Sequence, residues 1–112
     1  MAKSVKHTVQ IVDLLHKIKS LIPSERVVFL SKLSVQKIKL LCEVVKNIIL
    51  GNVPLPNKVL NQVKNCKALA KRILSKIINK IEKIKLITSA KFNQFLCITI
   101  PYAIEYLTSA DS

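Results

Sequence analysis

From Lys58 to Lys83 the chain carries eight cations: Lys58, Lys64, Lys67, Lys71, Arg72, Lys76, Lys80 and Lys83. Between them runs an apolar stripe, Val63, Cys66, Ala70, Ile73, Ile77, Ile81 and Ile84, in steps of three and four. This combination suits the holding of a polyanion. An ammonium group acts on a phosphate as a point charge and draws affinity from counterion release, without reading a base. Steps of three and four mark one face of a helix, so the cations would stand on a helical scaffold. On a helical wheel Lys64, Lys67 and Lys71 flank the stripe on one side, and Arg72, Lys76, Lys80 and Lys83 lie nearer the opposite face. A straight helix would carry both groups, and a bend near Cys66 or Ser75 would also account for the shift. Runs of charge often serve only as solvated faces. Here, however, six acids oppose nineteen Lys and Arg over the whole chain. A weaker accessory set of the same chemistry is Lys32, Lys37, Lys39 and Lys46.

Other chemistries find little support. Only Arg26 and Arg72 offer the planar fork that reads guanine, so sequence-specific recognition is not expected. His7 and His16 are nine apart and point to opposite sides of a helix, while Asp13 and His16 are spaced for a surface pair. A single Gly leaves no glycine-rich phosphate loop, and no pair of acids is spaced for acid–base work. Cys42, Cys66 and Cys97 are odd in number and widely spaced, and read as free buried thiols in a reducing compartment. The expectation is a non-enzyme with no cofactor, no metal and no small-molecule substrate.

The elements that must position these cations follow from composition. A net charge of +13 on 112 residues exceeds what solubility needs and points to an anionic polymer or surface. The 50% apolar content argues against a disordered basic tail. Aromatic content of 4%, with no Trp, weakens base stacking as a mode of recognition. The basic start lacks the apolar stretch of a secretory signal, so an intracellular location is expected.

Val5, Val9, Val12, Leu15 and Ile18 predict a first helix over residues 4–21, ended by Pro23. Ser24 is the predicted N-cap of a short helix over Glu25–Leu33, and Ser34 that of a third, which stops at Gly51. The run NVPLPN, residues 52–57, forbids helix continuation. A basic amphipathic helix or helix pair over 57–89 and an apolar segment over 90–108, broken near Pro101, complete the chain. The tail TSADS is expected to fray. The fold class is all-α: a single compact helical bundle of four to six helices over residues 1–112.

The apolar C-terminal segment admits a second reading. A basic helix can lie on anionic lipid while an adjoining apolar stretch inserts. Phe92, Phe95, Leu96, Ile98, Ile100, Tyr102, Ile104 and Leu107 would then contact membrane or a partner, as an alternative to completing the core. Surplus apolar surface would also serve a homo-oligomer.

The stretch LLCEVVKNIILGNVPL (40–55), followed by KALAKRILSKIINK (67–80), resembles a short basic late protein of Maverick/Polinton-type DNA elements and adintoviruses. That family has a Leu-Cys-rich helix, a Gly-Asn-[Ile/Val]-Pro-Leu break, a basic helix with a Leu-Ala step, and a Gly-Gly-Phe-Leu segment before an apolar tail. Gly51, Asn52, Val53, Pro54 and Leu55 match the break, and Leu69, Ala70 and Ser75 match the basic helix. The family's end is distantly similar to the adenovirus core protein precursor mu. Here the Gly-Gly pair is replaced, with Ala90, Lys91 and Phe92 in its place. The resemblance covers roughly residues 40–96 and implies a virion or nuclear protein associated with packaged DNA or the capsid interior.

Overall fold

Local capping sets the boundaries of the helices. The computed structural model describes residues 5–109 and places seven α-helices among them, with no strand. They are α1 (Val5–Ser20), α2 (Pro23–Ser31), α3 (Val35–Ile49), α4 (Asn57–Asn65), α5 (Lys67–Leu74), α6 (Lys80–Ile87) and α7 (Ala90–Ser109). Ser4, the side chain of Val5 and the end of the TSADS tail lie outside what is described. The all-α class is as expected. The count exceeds four to six because residues 57–87 form three helices instead of one or two.

The two breaks between these helices differ in kind. At Cys66 a single turn tightens, its N–H donating to Val63 C=O at 2.9 Å, before α5 resumes with Ala70 N–H on Cys66 C=O at 2.9 Å. At the end of α5, Ser75 turns extended, and its Oγ accepts from Ile77 N–H at 3.2 Å. Asn79 then caps α6, accepting from Glu82 N–H at 2.9 Å. These short polar side chains give the backbone an alternative to the helical ladder. The stripe predicted through Ile77 and Ile81 is therefore interrupted, and both side chains face solvent.

Ser34 caps α3 as expected, accepting from Lys37 N–H at 3.2 Å. Gly51 ends that helix at φ +81°, with its N–H on Ile48 C=O at 3.2 Å and Asn52 N–H on Asn47 C=O at 3.0 Å. Ser24 is not the cap of α2. That helix opens two residues earlier, on Pro23, which needs no N–H partner in the first turn, with Ile22 at the N-cap. The face of α1 is also rotated from the prediction. Ile11, Leu14, Leu15 and Ile18 are buried, while Val9 is exposed and Val12 half-buried. Both sets have helical spacing, and the one richer in Leu and Ile buries more apolar surface.

Helix α7 is the spine, packing chiefly on α1 and also on α3, α4 and α6. It runs unbroken through Pro101, against the expected break there. The proline ring is exposed, so the carbonyl it leaves without a helical donor is on the wet side. Phe92, Phe95, Leu96, Thr99, Ile100 and Ala103 form the buried face, with the Phe92 and Phe95 rings stacked at 5.6 Å. Ile98, Tyr102, Ile104 and Leu107 are half-buried. Apart from Ile98, the set considered for membrane contact thus belongs to the core or its margin, and no described helix is long and apolar enough to cross a membrane. The radius of gyration is 13.3 Å, close to the ~13 Å of a compact chain of this length.

Candidate nucleic-acid interface

Because residues 57–87 bend twice, the eight cations divide among three short helices and a turn. Lys58 and Lys64 stand on α4, and Lys67, Lys71 and Arg72 on α5. Lys76 is in the turn, and Lys80 and Lys83 are on α6. All are exposed except Lys83, which is half-buried. Lys67 and Lys71 are one turn apart on α5, flanking the buried Ala70 and Ile73, and Arg72 lies round the other side. Lys64, Lys71 and Arg72 occupy the last turns of their helices, where the carbonyl end favours a cation by ~0.3–1 kcal/mol.

Lys83 sits over α3. Burial pushes the Cys42 thiol up from its ordinary value, and the charge of Lys83 partly offsets that rise. Cys42 shares an open trough with Lys39, Lys46, Leu50 and Leu74, and Glu43 lines it too, so two members of the accessory set meet there. Lys37 lies elsewhere, lining a groove between α1, α2 and α3 with Gln10, Asp13, Lys17 and Phe29. Lys17 Nζ stands 6.0 Å from the Phe29 ring centroid in that groove. Lys32 ends α2 as its C-cap and is exposed. The accessory residues therefore do not form one patch.

Two contributors escaped the periodicity argument. Lys91, at the start of α7, lines a recess with Gln62, Asn65 and Gln94 against α4. Its neighbours there are far away in sequence, so no linear pattern reveals it. Lys17 is equally exposed and reaches Lys37 only through packing of the first three helices.

The charges are not neutralised internally. Among the described residues the one ion pair is His7 Nε2 to Glu43 Oε2, at 2.7 Å, joining α1 to α3. No described lysine or arginine lies within ion-pair distance of a carboxylate. The spacing of Asp13 and His16 produces no hydrogen bond between them; both are exposed.

Arg26 is removed from the interface. It is 6% exposed, and its Nε donates to Ile18 C=O at 3.2 Å and its Nη2 to Leu21 C=O at 2.8 Å. Its Nη1 donates to Cys97 Sγ at 2.9 Å. Only Arg72 then remains as an exposed guanidinium. The expectation of three buried thiols also needs correction. All three are free, but Cys66 alone is buried, Cys42 is half-buried and Cys97 is exposed. Among the described residues no group of three His, Cys, Asp or Glu side chains is placed to hold a metal ion. No protein-family model matches the chain, and neither a curated protein nor a solved structure shows significant similarity to it.

Proposed function

We propose that this chain is a non-enzymatic protein that binds double-stranded DNA without reading its sequence, in the manner of a virion core or chromatin-like protein. The observation that carries this reading is the absence of carboxylate partners around the exposed lysines among the described residues, at a net charge of +13. Phosphates of a polyanion would supply the missing counter-charge. Lysine in place of arginine favours point-charge contact over base readout, and the burial of Arg26 strengthens that preference. The resemblance to proteins of Maverick/Polinton-type elements and adintoviruses adds the viral setting to the proposal.

The bends at Cys66 and Ser75 lower the number of simultaneous contacts. A body of 38 × 31 × 30 Å covers only one side of a duplex, and cations on three differently directed helices do not all reach it. About five phosphates is a reasonable estimate, which gives a slope of log K against log[salt] near −4.5. Fluorescence anisotropy on random-sequence duplexes, titrated with NaCl, measures it. Duplexes of different sequence should give the same affinity within about two-fold. A salt-independent affinity, or weak binding at low salt, would overturn the proposal.

A further inference from the structure

We infer that the turn joining α5 to α6 docks on the surface of an anionic lipid bilayer. Ile77 is 95% exposed and Ile81 69%, more than any other large apolar side chain among the described residues. Lys76 and Lys80 flank them and are themselves exposed. From Val44 to Ile104 the only acid is Glu82. The tip therefore presents hydrocarbon and positive charge together.

The backbone beneath it is already organised. Ser75 Oγ accepts from Ile77 N–H at 3.2 Å and Asn79 Oδ1 from Glu82 N–H at 2.9 Å. These bonds reduce the ordering that contact with a surface would otherwise demand. Stable attachment to a bilayer takes two signals, and an apolar insertion beside a basic cluster supplies both.

Charge and polarity choose the occupant. A duplex offers phosphates but leaves two isoleucines in water. A second copy of this chain would bring the same lysines face to face at +13 per molecule. A bilayer of anionic lipid provides phosphates at its surface and hydrocarbon ~5–10 Å below. Lys76 and Lys80 also belong to the set proposed for DNA, so the two ligands would compete for them.

The experiment uses the full chain and vesicles of phosphatidylcholine, with and without about one-third phosphatidylserine. Co-sedimentation should show binding to the anionic vesicles and almost none to the neutral ones. The double variant Ile77→Ser/Ile81→Ser should lose ten-fold or more in vesicle affinity, with an unchanged melting temperature and DNA affinity within two-fold of wild type. The chain has no Trp, so Ile77→Trp gives a single tryptophan, excited apart from the two tyrosines, whose spectrum should shift to the blue on anionic vesicles alone. Equal vesicle binding by the serine variant, or an unshifted emission, would show that the isoleucines do not enter lipid and would end the inference. So would a dimer that the serine variant dissociates, or a loss of DNA affinity in place of vesicle affinity. A wild-type chain that binds anionic vesicles but not DNA would sink the DNA proposal and leave this one standing.

Discussion

Replacing Arg26 by Met tests how this fold keeps one cation in its interior. The guanidinium is 6% exposed and has no carboxylate partner. Its donors end on Ile18 C=O, Leu21 C=O and Cys97 Sγ, so it joins the carboxyl end of α1, the following loop and α7. The carbonyl end of α1 carries a partial negative charge, which stands in for a counter-ion. Methionine fills a similar space and makes none of these bonds. Leu21 C=O then loses its donor at a cost of about 1–3 kcal/mol and Ile18 C=O keeps only Leu21 N–H at 3.3 Å, while the desolvation cost of the buried charge disappears. A net loss of about 1–3 kcal/mol follows. For a chain of this size that is a fall in melting temperature of roughly 4–13 °C. Arg26→Lys should be no milder, because one ammonium cannot span three acceptors from the same stem. Urea unfolding followed by circular dichroism at the helical band gives both values. A loss below about 0.5 kcal/mol for the methionine variant would show that the charge and its bonds cancel, and the argument would fail. DNA affinity should not change, since Arg26 does not reach the surface.

Other substitutions read out further features of the fold. Gly51→Ala should destabilise by about 1–2 kcal/mol in the same unfolding assay: the left-handed φ of +81° is the obstacle, and an added Cβ meets nothing within 4 Å. Pro101→Ala should stabilise by ~1–3 kcal/mol, because the new N–H restores a bond within α7 at an exposed position. The Cys42 thiol, held protonated by burial, should alkylate with iodoacetamide more slowly than exposed Cys97, and more slowly still in Lys83→Gln, where the offsetting charge is gone. The sign for stability is fixed by the same rise. The contribution of Cys42 is complete below the ordinary thiol value of 9.0 and is lost as pH climbs through the higher folded value, so Cys42→Ser should flatten the alkaline fall in stability.

The sequence was most informative where one residue type carries one backbone geometry. Ser34 and Gly51 mark the two ends of α3, and Pro54 and Pro56 keep the next segment out of a helix. Competition between signals was harder to read. Seven apolar residues in helical register outweighed Ser75 and Asn79, yet each of those two makes a local bond that the stripe cannot replace. On α1, the stripe through Val9 and Val12 and the one through Ile11 and Leu14 both have helical spacing, and the choice depends on which face meets α7. Among the cations, type and exposure were legible but grouping was not. Lys83 lies by Cys42, and Lys91 beside Gln62, because helices distant in sequence pack together. Arg26 carries the same planar fork as Arg72, and nothing in its neighbours Glu25 and Val27 marks it as buried.

The uncompensated charge makes salt act in opposite directions on folding and on binding. Lysines that lack carboxylate partners repel one another, and the folded state brings them closer than the unfolded chain does. At ~0.01 M salt the screening length is ~30 Å, which matches the 38 × 31 × 30 Å body, so nearly every pair of charges contributes to the repulsion. At ~0.1 M it is ~10 Å, and only neighbouring pairs remain. The melting temperature of the free protein should therefore rise over that interval, while duplex affinity falls. Added DNA at low salt should raise the melting temperature through linkage, since it binds the folded form and relieves the same repulsion. Calorimetry at 0.01 and 0.1 M NaCl, with and without a random duplex, resolves the two effects. A melting temperature that does not respond to salt would mean that the lysines are neutralised after all, and the electrostatic basis for a polyanion ligand would be lost with it.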